Sequence, residues 1–125
     1  MTTKNQKIRA FYVVIQRAKP NVIKVRHFIH SRKSGGFWAS VRDFSQAERQ
    51  SNEAIGHSNA VSIVIGNNPK IIKDWEKLIF IDERNISYRL KEKPDEFNYS
   101  KGDIKMTAYA FKDDEDYSLE ADEYD

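Results

Sequence analysis

Seven short runs of this chain carry β-branched and aromatic residues with a period of two, and that pattern constrains the fold more than any other feature. Arg9 to Ile15 and Val22 to His30 read as strands, and Lys19-Pro20-Asn21 between them is a turn signal, so the two predict a hairpin. Phe37 to Asp43 reads as a third strand, with Phe37, Ala39 and Val41 on one face and Trp38, Ser40 and Arg42 on the other. Val61, Ile63 and Ile65 alternate with Ser62 and Val64 in a fourth, closed by Gly66-Asn67-Asn68-Pro69. Ile71 and Ile72 suggest a short edge piece. Leu78 to Ile81 and Ile86 to Leu90 flank Asp82-Glu83-Arg84-Asn85 as a second hairpin, and Lys91 to Asp103 reads as a polar loop. Ile104 to Phe111 is the last strand, with Ile104, Met106 and Ala108 inward.

One helix interrupts this series. Ser45 and Glu48 form a capping box, in which the Ser hydroxyl accepts the N3 amide and the Glu reaches back to the cap amide. Gln46 to Ile55 holds good helix formers, and Gly56 is a natural stop. Its apolar stripe (Ala47, Ser51, Ala54, Ile55) is thin, which predicts a surface helix lying on the sheet. The fold class expected is therefore mostly β, a small antiparallel barrel or sandwich with one short α-helix.

The length of 125 residues leaves room for one domain, expected over residues 1–112. The chain has no cysteine, so disulfides, thiolate metal sites and cysteine nucleophiles are excluded. A small domain without such staples fits a reducing compartment. Met1 is followed by Thr-Thr-Lys-Asn-Gln-Lys with no apolar run that reads as a signal peptide, and Ala10 to Ile15 is too short to span a bilayer. A soluble protein without membrane contact is expected.

No catalytic constellation is apparent. His27 and His30 lie three apart, which on a strand puts them on opposite faces and spoils them as paired metal ligands; His57 is isolated. No Gly-x-Ser-x-Gly elbow and no phosphate-cradling glycine loop occurs. The expectation is a protein that is not an enzyme and needs no cofactor or metal.

The net charge of +2 hides a sharp asymmetry. Residues 1–112 hold all 21 Lys and Arg against 11 acidic residues, a balance of +10, while residues 113–125 hold eight acidic residues and no basic one. The first 42 residues contain ten Lys or Arg and no Asp or Glu. Basic side chains here either solvate the outward face of two strands or form a surface for phosphates, with Phe11, Tyr12, Phe28, Phe37 and Trp38 interleaved as single-strand binders require. The acidic segment cannot bury enough surface to fold alone and reads as a disordered tail, or one ordered only by a partner. It is either a solubilising brush or a segment that docks on a basic surface of its own body or of a neighbouring subunit. Its apolar anchors would be Tyr117, Leu119 and Tyr124, beside Asp113, Asp114, Glu115 and Asp116.

Phe37-Trp38-Ala39-Ser40-Val41 leading through Ser45-Gln46-Ala47-Glu48 into a helix forms part of a larger pattern. It continues with the strand Asn59 to Ile65, the hairpin Leu78–Ile81 to Ile86–Leu90, and Ile104 to Tyr109. Over residues 7–112 this resembles the phage head–tail joining (head-closure, or stopper) proteins. In that family the hairpin strands read as apolar residue, Asp, turn, Tyr, and the turn commonly carries a glycine, where this chain has Asp82-Glu83-Arg84-Asn85. The resemblance implies a barrel assembled into a ring, of six copies, below the portal and adaptor of a tailed phage. Such a ring retains packaged double-stranded DNA and docks the tail proteins. It implies a monomer in isolation, assembly in the host cytoplasm, and a place in the neck of the virion. On this reading the basic loop Arg32, Lys33, Ser34, Gly35 and Gly36 is the first candidate to face DNA, and the loop Lys91 to Gly102 the second. Ser45, Glu48, Arg49, Asn52 and Ile55 would be an interface helix, and the acidic tail an inter-subunit contact. The alternatives are a tail-completion or minor tail protein, and a nucleic-acid-binding barrel of the OB kind.

Overall fold

The computed structural model describes residues 6–18, 21–29, 36–43, 60–97 and 102–122. Among the described residues nine strands run in chain order: β1 (Gln6–Ala18), β2 (Asn21–Phe28), β3 (Phe37–Asp43), β4 (Ala60–Gly66), β5 (Ile79–Ile81), β6 (Ser87–Leu90), β7 (Asp95–Phe97), β8 (Asp103–Phe111) and β9 (Leu119–Asp122). One short helix, α1 (Pro69–Asp74), lies between β4 and β5. The expected helix over Ser45–Ile55 falls outside the described residues.

Six of the strands close on themselves. The order β3-β4-β8-β6-β5-β1 returns to β3 through Gln6–Ile8, giving an antiparallel barrel. The period-2 pattern explains which side faces in. Ile8, Ala10, Ala39, Ile63, Ile65, Phe80, Tyr88, Ile104, Met106 and Ala108 come from all six strands and form one buried cluster. They meet as register partners: Ile63 with Met106, Ile65 with Ile104, Ala10 with Phe80, Phe80 with Tyr88. Ala10, Ala39 and Ala108 are fully buried among the larger side chains, and this mixture of sizes lets so few strands fill their own interior.

β1 is longer than the barrel needs. Its residues Gln6–Ile8 pair with β3 and Arg9–Phe11 with β5, while Phe11–Ala18 pair with β2. Phe11 faces Phe28 on one edge and Ile79 on the other. Beyond it β1 and β2 continue as a two-stranded arm, on which Ile15 is 66% and Val22 59% exposed.

Two stretches differ from the sequence reading. Ile71 and Ile72 belong to α1, not to an edge strand. Asn68 caps that helix, its Oδ1 accepting the Lys70 amide at 3.0 Å, and Pro69 follows with its φ already suited to a first turn. This cap outweighs the β preference of two isoleucines, and Ile71 is buried beneath it. The expected loop Lys91–Asp103 contains β7, which adds to β8.

The β5–β6 hairpin is closed by a buried carboxylate. Asp82 Oδ1 accepts the amides of Arg84 (2.9 Å) and Ile86 (3.0 Å), and Tyr88 donates its hydroxyl to Oδ2 at 2.9 Å. Arg84 pairs with the same Oδ2. Asn85 takes a positive φ (67°) in this turn, a conformation that Asn tolerates better than most residues. Replacing Asp82 with Ala leaves two amides and a buried hydroxyl without their acceptor. Asp82→Ala should therefore cost about 3 kcal/mol in urea unfolding, and Asp82→Asn, which keeps one carbonyl oxygen, about half of that.

Candidate functional site

The strongest feature outside the barrel interior lies on its outer face, where β1, β2 and β5 turn Phe11, Phe28, Ile79 and Ile81 into a second buried cluster. Val13, Phe111 and Tyr117 pack against it. Phe11, Ile79 and Ile81 are the alternate positions of two strands that fill the barrel, and Phe28 joins them from β2, so this face is as apolar as the inside one over a small area.

Cations ring the cluster. The Arg26 guanidinium lies 5.2 Å from the Phe11 ring, 5.6 Å from Phe28 and 4.8 Å from Tyr117. Arg9 sits over Phe28 at 5.5 Å, and Arg89 over Phe111 at 5.2 Å. Contacts of this kind contribute about 0.5–1 kcal/mol each where partly exposed, so Arg26 is the most heavily engaged of the three. Burial pulls the Arg26 pKa down, an effect that Tyr117 and Asp113 oppose and Arg9 reinforces. Its Nε is buried with no hydrogen-bond partner among the described residues.

The acidic segment lies on this face. Residues 113–122, expected to be disordered or ordered only by a partner, follow β8 across the cluster and end in β9, which pairs with β2 in parallel. Val25 faces Leu119 and His27 faces Ala121, and the Ser118 amide donates to the Lys24 carbonyl at 2.8 Å. Glu120 forms an ion pair with Arg26, and Glu115 one with Lys24 at 3.6 Å. Tyr117 meets Phe11 edge-on, with centroids 5.7 Å apart, and donates its hydroxyl to Asp113 Oδ2 at 2.7 Å. The segment lacks a core of its own, but the body supplies one, together with the opposite charge and a strand edge. Leu119, expected to be an apolar anchor, is instead 56% exposed; Tyr117 is the anchor. Tyr124 lies outside the described residues.

The other expected sites are only partly described. Of the basic loop, Arg32, Lys33, Ser34 and Gly35 lie outside the described residues. Gly36 stands at its end with φ +102°, so close to β1 that a Cβ would sit 2.2 Å from the Ile8 carbonyl oxygen. That glycine is a fixed contact between β3 and β1. The interface-helix residues Ser45, Glu48, Arg49, Asn52 and Ile55 lie outside the described residues, as do His30 and His57. His27 stacks on Tyr12 at 5.4 Å. Among the described residues no group of three or more His, Asp or Glu is placed to hold a metal ion, and no helix is long and apolar enough to cross a membrane.

Sequence reading offered both halves of this contact, a basic surface and an acidic segment that docks on it, but not which residues meet. Phe11, Phe28 and the basic strands were visible as interleaved aromatic and cationic residues, but nothing local says that Lys24 and Arg26 face the acidic segment 94 residues further on.

No family model matches the chain, and no curated protein does. Among solved structures it is similar to the solution structure of protein SF1141 from Shigella flexneri 2a. That likeness has a TM-score of 0.62 at 14% identity and covers 85% of this chain and 91% of that one. At such identity it shows a shared fold, the mostly-β barrel.

Burial and the Asp82 carboxylate push Tyr88 up to about 12 from an ordinary 10.0, and burial with Asp113 raises Tyr117 in the same direction. Both hydroxyls hold their protons in the fold at a pH where the unfolded chain has released them. For Tyr88 the stability this supplies is complete below pH 10.0 and is lost as the pH rises through the folded value of about 12, and Tyr117 acts in the same direction. Urea midpoints should fall across that window, and a Tyr88→Phe/Tyr117→Phe double variant should show a flatter pH slope, whatever its starting stability.

Proposed function

We propose that this chain is a structural assembly protein without enzymatic activity, a head–tail connector of the head-closure kind that forms a ring below the portal and adaptor of a tailed phage. The observation that carries this reading is the β1–β2 arm. A closed barrel has no open edge to protect and gains nothing from extending one hairpin past its rim. This one extends an arm on which Ile15 and Val22 are exposed on the same face, since Ile15 pairs with Lys24 and Arg17 with Val22. Apolar side chains held out in this way fit an interface with other subunits. The resemblance over residues 7–112 supports the same reading, and so does the separation of basic body and acidic segment, because head-to-tail contacts in a ring join two unlike patches.

In this role the ring retains packaged DNA and offers its lower face to the tail. The loop Arg32–Gly36 would face the DNA, with Gly36 anchoring its end on β1. Tail completion is the nearest variant of the reading, and an OB-like binder of nucleic acid the main competitor from another class.

Purified chain should remain monomeric alone and form a ring when added to portal–adaptor complexes, as seen by electron microscopy. Arg32→Ser/Lys33→Ser should release DNA from filled heads without preventing ring formation. Tight, salt-sensitive, stoichiometric binding of oligonucleotides by the isolated monomer, with no ring on the portal complex, would overturn the connector reading in favour of the OB-like one.

A further inference from the structure

The contacts of the acidic segment have an unusual distribution. Those holding it to the body come from β2 and from the outer cluster beneath it: Arg26 with Glu120, Lys24 with Glu115, the Lys24 carbonyl with Ser118, and Phe11 with Tyr117. Asp114, Glu115, Asp116, Ser118, Leu119 and Glu120 are exposed. Tyr117 is the side chain that enters the cluster. The segment is thus bound the way a peptide is bound to a strand edge, with backbone pairing for affinity and one aromatic and two ionic contacts for register.

Its connection to the barrel is permissive. The residues 112–118 between β8 and β9 carry no secondary structure. The first contact with β2 is Glu115 with Lys24, so residues 112–114 form the tether; extended, they span about 10 Å, enough to reach a strand edge on a molecule packed directly alongside. An equivalent edge on another molecule of this protein offers the same chemistry, so moving the segment there exchanges one set of contacts for an identical set. The charges also select the pairing. Acidic segments repel each other and basic β2 strands repel each other, so the segment fits only an acceptor edge.

We propose that the β2 edge, with Arg26 at its centre, is a strand-acceptor site that receives residues 115–122 of a second copy of this chain in exchange for its own. In dilute solution the tethered segment wins, because its effective concentration is on the order of millimolar. Between copies fixed side by side the two donors are equivalent, and the exchanged strand ties one subunit to the next. The inference rests on the assembly reading for where exchange takes place, but the site and its occupant stand on the contacts above.

The chain contains no cysteine, which makes a clean test possible. The register that pairs Val25 with Leu119 puts Lys24 opposite Ser118, and both side chains lie outside the barrel core. The double variant Lys24→Cys/Ser118→Cys, at low concentration under mild oxidation, should form a disulfide within one chain. An equal mixture of the two single variants, equilibrated reduced at about 1 mM and then oxidised, should give disulfide-linked heterodimer at least about fivefold above a mixture of Lys93→Cys with Ser118→Cys. Arg26→Glu introduced into the Lys24→Cys chain should remove that excess. Closure within the double variant, with the mixture no higher than its control, would show a fixed segment and overturn exchange. Failure of the double variant to close would overturn the site itself. A ring that fails to form on portal complexes while the heterodimer does form would count against the connector reading and leave the acceptor site intact.

Discussion

The architecture depends on β1 pairing along both of its edges. An antiparallel sheet of six strands has two raw edges unless its first and last strands meet, and Gln6–Ile8 against β3 removes both at once. The same strand must also hold β5, through Arg9–Phe11, so its middle is enclosed on either side. Past Phe11 the barrel has no further partner to offer. β1 can then run on only as a hairpin with β2, and the protruding arm is a geometric consequence of closing a narrow barrel with a strand of 13 residues.

That arrangement also creates the outer cluster. Residues alternate across a strand, so a β1 that turns Ile8 and Ala10 inward must turn Arg9 and Phe11 outward. Phe11 would be a large exposed ring if nothing covered it. Phe28 covers it from β2 and Tyr117 from the acidic segment, with Arg26 over all three rings. The guanidinium suits this place because it is planar, weakly hydrated and able to lie on aromatic faces while pairing with a carboxylate. One residue thereby couples the apolar and ionic parts of the surface.

Much of the barrel was legible in the sequence because its signal is local. Ile104, Met106 and Ala108 alternate with polar or smaller neighbours, and all three are fully buried. Asp82-Glu83-Arg84-Asn85 reads as a turn and is one, with Asn85 in the left-handed conformation. Where two local signals competed, the weaker one was followed: Ile71-Ile72 favours a strand, but Asn68-Pro69 caps a helix and fixes its first φ. The acidic segment was legible only as a choice between a disordered tail and a docked one, for a different reason. Composition measures whether a stretch can bury its own surface, and this stretch cannot. It becomes a strand because Lys24, Arg26 and Phe11 wait at the far end of the chain, and no window of neighbouring residues contains both halves of that contact.

The two parts of the molecule are therefore stabilised on different scales. The barrel rests on full burial of side chains from six strands, each worth about 1.5–3 kcal/mol relative to exposure. The acidic segment rests on one strand edge, Tyr117 and a few partly exposed ion pairs, whose individual contributions are mostly below about 1 kcal/mol. Its detachment leaves the barrel's closed hydrogen-bond pattern untouched, since β9 is the last strand of the order and pairs with β2 alone among the described residues. Ionic strength weakens the exposed ion pairs far more than the buried interior, so salt acts on the segment and spares the barrel. A rigid body carrying a weakly held strand of opposite charge can keep its shape while its contacts change.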